Sequence, residues 1–347
     1  MTKKKRNVYP DVAEPLAHPI VDNHTHLPVR GDRDYEADVG LVPGSPAPAG
    51  GDGLASAGDG PAPDDNGPAS AGPHQAAPGP GEAHKGSIEW HIARMGAAGV
   101  RHAITCGCEV PTLAPTVALA EAYPELSAAI AIHPNEAPLH CGITEVGPDG
   151  LAHGLDPWHS GHSLADAVAL VGELARSGAV VAIGETGLDY FRTADAGKAA
   201  QAESFRMHIA LAKELDLPLQ IHDRQAHADC IAILKECGAP ERTVFHCFSG
   251  DREMAEVCAT NGWYASFAGP LTYPANEDLR EAFLALPEHL ILVETDAPYL
   301  TPAPWRGHPN APYACAYTAR YMASLRGVDE ADWCRRLDEN TRRVYGV

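Results

Sequence analysis

Eight short apolar runs, at 19–22, 103–106, 127–132, 179–184, 218–221, 243–245, 263–267 and 290–293, alternate with segments of helical periodicity. Unbroken apolar runs of this length read as strands covered on both faces, the mark of a parallel sheet. The helical patterns fall at 88–98, 113–122, 163–177, 199–215, 225–237, 251–260, 276–286 and 312–325. Eight such units predict an α/β fold, a (β/α)8 TIM-like barrel, with 329–345 as an extra C-terminal helix. A doubly wound open sheet uses the same alternation, but it usually has fewer strands and a glycine-rich phosphate turn after the first. No such turn follows 19–22.

The 347 residues exceed what this barrel needs, and the surplus has an unusual composition. Between 41 and 83 roughly two thirds of the residues are Gly, Pro or Ala, with almost no large apolar side chain. Such a stretch cannot bury enough surface to offset its conformational entropy, so 31–86 is expected to be a disordered insertion after the first strand. The reading is one barrel domain at 19–347, interrupted by that insertion and preceded by a tail at 1–18. A second irregular stretch, 140–162, carries Gly, Pro and Asp but also Trp158, and reads as a longer loop with some order.

Charge and cysteine usage narrow the function. The formal charge of -20 argues against holding nucleic acid or anionic membrane by bulk electrostatics, so an anionic substrate needs a local source of positive charge. No run of eighteen apolar residues is present, which predicts no membrane span. The basic stretch Met1 to Arg6 leads into Asn7-Val-Tyr-Pro rather than an apolar core, so no secretory signal is read. The nine cysteines are therefore expected as reduced thiols in the cytoplasm, and Cys106 and Cys108 as strand packing.

The chemistry sits where the strands end. The first run leads into His24-Thr-His26, which period two places on one side of a strand. Later runs lead into Glu185, His222, His246 and Asp296, so five strands deliver a potential ligand to the C-terminal rim where barrel enzymes place their sites. Four imidazoles and two carboxylates exceed the three protein ligands of one catalytic zinc. The set fits two divalent ions bridged by a carboxylate and a water: His24, His26 and Asp296 on one, His222 and His246 on the other, Glu185 between them. The ions would also supply the missing positive charge.

These segments resemble the TatD-type metal-dependent hydrolases (TatD family deoxyribonucleases) of the amidohydrolase superfamily. The matching stretches are Asp22-Asn-His-Thr-His-Leu27, Gly184-Glu-Thr-Gly-Leu-Asp-Tyr190, Ile221-His-Asp-Arg224, Phe245-His-Cys-Phe-Ser-Gly250, Glu294-Thr-Asp-Ala-Pro-Tyr-Leu-Thr-Pro302, Arg306-Gly-His-Pro-Asn310 and Asn340-Thr-Arg-Arg-Val-Tyr-Gly346. The resemblance implies a TIM-like barrel with deoxyribonuclease activity, often 3′ to 5′ exonucleolytic, and a magnesium requirement. Its metal residues fall on the six positions above. Many binuclear relatives bridge their metals with a carboxylated lysine, but Lys85, Lys198, Lys213 and Lys235 all lie away from strand ends, and Glu185 takes that place.

The expected reaction is phosphodiester hydrolysis in DNA, at a single-stranded end, with Asp296 and Glu185 catalytic and Asp296 as proton acceptor. Imidazole-rich sites favour Zn2+, Mn2+ or Fe2+ by ligand softness, whereas the resemblance points to Mg2+. His133, in a His-Pro step, reads as a contact to a phosphate or leaving group, or else as a loop histidine. Arg224 reads as a phosphate clamp, or else as the partner of Asp223 or Glu185. Arg306 and Asn310 read as loop architecture. No obligate protein partner is evident. A hydrolase of a small ester, amide or phosphate is the rival enzyme reading, and a non-catalytic metal-binding scaffold is the rival outside catalysis.

Overall fold

The computed structural model describes residues 8–29 and 85–347. The insertion expected at 31–86 lies outside those residues except for its last two. Eight parallel strands stand side by side in chain order. They are β1 (Ile20–Thr25), β2 (Val100–Gly107), β3 (Leu126–Ile130), β4 (Val180–Asp189), β5 (Leu219–Arg224), β6 (Thr243–Phe245), β7 (Tyr264–Phe267) and β8 (Ile291–Val293). Around them lie α1 (Ile88–Ala98), α2 (Val110–Ala122), α3 (Ala137–His140), α4 (Pro157–Gly161), α5 (Leu164–Leu174), α6 (Lys198–Leu215), α7 (His227–Cys237), α8 (Arg252–Asn261), α9 (Glu277–Ala285), α10 (Cys315–Arg326) and α11 (Glu330–Tyr345). The architecture is the expected TIM-like barrel with its additional C-terminal helix.

Alternation along each strand separates two cores. Val21, Ile104, Ala129, Ala182, Val244 and Leu292 pack together inside the barrel. Their neighbours Ile20, Ala103, Ile130, Ile183, Phe245, Ile291 and Val293 belong to the larger core between sheet and helices. Period two thus explains why these strands read as unbroken apolar runs: both faces are buried. Val344 and Tyr345 at the end of α11 join the inner cluster and close the barrel at one end. Residues before β1 also pack on the barrel: the Tyr313 hydroxyl donates to the Pro10 carbonyl at 2.7 Å and the Leu16 N–H to Ala98 at 3.1 Å.

The strands differ from expectation where the site begins. β4 continues to Asp189 rather than stopping at Gly184, and β1 continues to Thr25 rather than stopping at Asp22. In each case a bulge lies at the extension: Asp22 and Thr25 pair with Ala103 and Thr105, and Ile183 and Thr186 pair with Leu219 and Ile221. Three residues span the distance of two, which turns His24 and Glu185 while pairing resumes beyond them. α2 begins at Val110, three residues before the apolar periodicity, because Pro111 sits in the first turn where a missing N–H costs nothing. The irregular stretch at 140–162 holds the one-turn helix α4 and a bridge between Val146 and Ala152.

No ladder joins β8 to β1 among the described residues; the circle closes through other groups. Asn23 Nδ2 donates to the Val293 carbonyl at 2.8 Å, and the Thr295 N–H and hydroxyl donate to the two Asp22 carboxylate oxygens at 2.8 and 2.5 Å. Just beyond, the Asp296 N–H donates to the His24 carbonyl at 2.9 Å and the His26 N–H to Ala297 at 2.7 Å.

One buried histidine ties a helix to the sheet. His208 of α6 accepts the Ile132 N–H on Nε2 at 3.1 Å and donates from Nδ1 to the Ser204 carbonyl at 2.7 Å. Both bonds require the neutral ring, and burial pushes its pKa from 6.5 down to about 4. The unfolded chain therefore takes up this proton first as pH falls, so the contribution is complete above the usual 6.5 and is lost towards 4. A His208→Leu substitution leaves the Ile132 N–H unpaired and is expected to lower unfolding free energy by about 1–3 kcal/mol near neutral pH. Urea titrations at a series of pH values should show the gap between parent and variant narrowing below 6.5. A gap independent of pH contradicts the assignment.

Candidate metal centre at the barrel mouth

All six residues anticipated as ligands converge at the C-terminal end of the barrel. His24 lies in β1 and His26 just past it, Glu185 in β4, His222 in β5, and His246 and Asp296 just past β6 and β8. Two glycines let Glu185 in. A Cβ on Gly184 would stand 2.4 Å from the Gln220 Cβ, and one on Gly187, whose φ is 140°, would stand 2.1 Å from the His222 carbonyl oxygen. The Gly-Glu-Thr-Gly sequence is thus a packing requirement of β4 against β5. Asp296 takes left-handed backbone at φ 55°, which a short polar residue tolerates, as the chain leaves β8.

The carboxylate of Glu185 divides the imidazoles into two groups. Its Oε1 lies 3.4 Å from His26 Nε2 and 3.8 Å from His24 Nε2. Its Oε2 lies 3.0 Å from His222 Nδ1 and 2.7 Å from His246 Nε2. Asp296 Oδ1 faces the first group, 3.5 Å from His26 Nε2 and 3.9 Å from His24 Nε2. Glu185 is buried, while Asp296 reaches the open side.

Behind the inner atoms, three of the rings are held by a second partner. Gln220 Oε1 lies 3.1 Å from His24 Nδ1, Glu294 Oε1 lies 3.3 Å from His246 Nδ1, and Asp189 Oδ2 lies 3.1 Å from His222 Nε2. Each acceptor can hold a ring proton on the outer nitrogen; the inner nitrogens of His222 and His246 donate to Glu185, and an ion replacing those protons would meet their lone pairs. This is the arrangement found behind metal-bound histidines. Gln220 is itself tied to the barrel plug, since its Nε2 lies 2.9 Å from the Tyr345 hydroxyl and donates to the Asn23 carbonyl at 2.9 Å. Glu294 also accepts the Cys247 N–H at 2.7 Å, and its other oxygen is buried without a partner.

His133 is oriented the opposite way. Its Nδ1 accepts the Asn135 N–H at 3.0 Å, so Nε2, 3.7 Å from Glu185 Oε2, carries the proton. Burial lowers its pKa to about 4, which keeps the ring neutral. Arg224 pairs with neither anticipated carboxylate: Asp223 holds His227 at 2.8 Å, Glu185 faces imidazoles, and the Arg224 guanidinium lies on the Phe191 ring, 4.0 Å from its centroid. Arg306 stacks on Tyr273 in the same manner at 4.5 Å, and Asn310 Nδ2 holds the turn after β8 through the Thr295 and Tyr299 carbonyls at 3.0 and 2.6 Å.

Cys106 and Cys108, expected as strand packing, reach the centre itself. Cys106 Sγ lies 3.3 Å from His24 Nδ1 and Cys108 Sγ 3.6 Å from Glu185 Oε1. Burial and the Glu185 charge push the Cys108 thiol up to about 12, so both groups are neutral thiols beside the imidazoles. Gln220, Glu294 and these thiols complete a centre of which the six innermost residues and His133 were read from the sequence as functional, and Asp189 as either a loop anchor or a chemical group. Their spacing was a usable signal, because Cys106 and Cys108, Gln220 and His222, and Glu294 and Asp296 are pairs two residues apart.

The electrostatics show one excess. Against the cost of burial, the neighbouring His246 and His133 and the hydrogen bond from His222 hold the Glu185 carboxyl well below its usual range. Burial alone would lower His222, but Asp189 and Glu185 raise it to about 9, and Glu185 raises His246 well above its ordinary value. His24, buried and beside His246, is pushed down instead. The carboxylates thus draw positive charge between them, and His24, His26 and Glu185 form one group able to hold a metal ion, as do His24, His246 and Asp296.

Comparison with known proteins agrees with this geometry. The family described as TatD related DNase matches residues 82–346. An uncharacterized metal-dependent hydrolase TatD of Mycobacterium tuberculosis is 35% identical over 261 residues, which is 74% of this chain and 90% of that protein. A 3'-5' ssDNA/RNA exonuclease TatD of Erwinia tasmaniensis is 34% identical over 200 residues, 56% of this chain and 77% of that protein. The crystal structure of a TatD homologue from Escherichia coli superposes with a TM-score of 0.63 at 30% identity, covering 75% of this chain and 92% of that one. The chain belongs to the TatD related DNase family and is a metal-dependent hydrolase.

Proposed function

We propose that the protein hydrolyses phosphodiester bonds at the single-stranded 3′ end of DNA, using two divalent ions at the barrel mouth. The observation that carries the metal reading is the division of Glu185, with one oxygen facing His24 and His26 and the other facing His222 and His246. The donor set fits. The inner nitrogens of His24, His222 and His246 face a shared carboxylate while their outer nitrogens are bound, so an ion displacing the inner protons would be met by three oriented imidazoles, and Asp296 adds an oxygen to the first group. His24, His26 and Asp296 would hold one ion and His222 and His246 the other, with Glu185 shared between the two groups. Four imidazoles suit zinc, manganese or iron better than magnesium by ligand softness. Ions bound there supply Lewis acidity and lower the pKa of coordinated water.

The protein's own groups perform the rest. Asp296, on the open side, accepts the proton of the attacking water. His133 donates its Nε2–H to a phosphoryl or leaving oxygen, because Asn135 has fixed the proton on that nitrogen. Arg224 holds a neighbouring phosphate through its in-plane N–H groups while its face rests on Phe191. The substrate class follows the family's description and the activity named for the Erwinia tasmaniensis relative. Turnover of a 3′-labelled single strand, a duplex and a panel of small esters, under one metal at a time, tests it. Faster turnover of a small ester than of the strand end favours the rival small-substrate hydrolase.

Two substitutions test the roles. Asp296→Ala, with an unchanged circular dichroism spectrum, is expected to lower kcat by at least about 10²-fold. A rate within a few-fold of the parent removes Asp296 from the chemistry. Gln220→Leu removes the partner of His24 Nδ1 and is expected to weaken metal affinity by about 10–100-fold. Competition with a fluorescent chelator measures it, and an unchanged affinity means that Gln220 does not orient His24.

A further inference from the structure

The stretch at 140–162 is more than the barrel needs, yet it contains four of the chain's 18 histidines, His140, His153, His159 and His162. Glu136 caps α3, and His140 lies one turn further along the same face. His159 comes across from α4, its Nε2 2.7 Å from Glu136 Oε2. The rings of His140 and His159 meet edge to face with centroids 5.0 Å apart, and one ligand atom from each of the three residues lies within 4.8 Å of the others. Both histidines are buried, at 6% and 4% exposure.

His140 supplies the deciding detail. Its Nδ1 donates to the His162 carbonyl at 2.8 Å, which leaves the lone pair on Nε2. That atom is buried and has no hydrogen-bond partner. A backbone carbonyl behind one nitrogen and a free lone pair on the other is how a metal-binding histidine is prepared. Glu136, beside it, completes the two-imidazole, one-carboxylate set that zinc accepts with a fourth position left for water.

We propose that Glu136, His140 and His159 form a second metal site, outside the six residues of the barrel mouth, for zinc or a similar first-row divalent ion. The ion takes the place of the proton between His159 and Glu136. The His159 proton moves from Nε2 to Nδ1, which in the structure accepts the Asp156 N–H at 2.8 Å, so that one cap contact of α4 is lost in exchange for metal bonds. Bound there, the ion staples α3 to α4. It also fixes the rim beside His133, whose carbonyl accepts the Glu136 N–H at 2.9 Å and the Ala137 N–H at 3.3 Å.

The test compares bound zinc in the full-length parent and a His140→Gln variant, both stripped with chelator, re-equilibrated in buffered zinc and assayed by mass spectrometry. The parent is expected to hold one more zinc per chain. If His140→Gln does not fold, Glu136→Gln, which keeps an acceptor for His159, is expected to show the same deficit. Zinc is also expected to slow amide exchange across 137–162 by about tenfold in the parent and in neither variant. Equal zinc in parent and folded variants overturns the proposal. The measurement is a difference at constant barrel mouth, so it stands or falls separately from the nuclease reading.

Discussion

The barrel has to close, and it closes through the residues that build its mouth. Between β8 and β1 the regular ladder is replaced by Asn23 on Val293, Asp22 on Thr295, His24 on Asp296 and His26 on Ala297. Asp22 is fully buried, and burial pushes its carboxyl well above the usual range although the Thr295 N–H and hydroxyl both bind its oxygens. The separation of His24 and His26 from Asp296 is therefore inherited from main-chain hydrogen bonds. Side chains carried on closed strands are placed more precisely than those on free loops.

The same economy runs inward. Rim residues stand one layer above their i−2 neighbours, and the deeper layer holds the rim of other strands. Gln220, below His222, holds His24; Glu294, below Asp296, holds His246; Cys106, below Cys108, touches His24. Layers of inward side chains are the ordinary filling of this barrel, and here the uppermost filled layer is polar. Gln220 extends the chain of contacts down to Tyr345, so the C-terminal helix that plugs the bottom also connects to His24 at the top.

This layering explains what could be read from sequence. The eight strands and the six inner residues were legible because both are periodic signals: apolar runs of strand length, five of them followed by a ligand-type residue. Gln220, Glu294 and Cys106 carried only the weaker signal of standing two positions before a rim residue, and which ring each serves was hidden because the partners lie far along the chain, Gln220 being 196 positions from His24. The extension of β4 was hidden since its apolar run ends at Gly184, where the bulge starts. Cys106 and Cys108 looked like packing because thiols carry no periodic mark that separates core from site. Glu136, His140 and His159 escaped for the same reason as Gln220, their meeting being a property of two short helices rather than of spacing.

Charge now has a location. Of the net -20, a net seven negative charges belong to 31–86, and the remainder of the chain is still acidic. Positive groups gather at the mouth, where Arg224 and Arg306 lie on Phe191 and Tyr273. Stacking engages the face of a guanidinium and leaves its edge donors free, so these arginines can be held in place and still bind phosphate. A long duplex would run its phosphates across an acidic surface and gain little from counterion release. Under the proposed function, a strand end would bring only its last phosphates to the centre, where bound cations and a few fixed donors would act over the shortest distances. On the proposed reading, the net acidity of the chain would disfavour continuous polyanion more than a strand terminus.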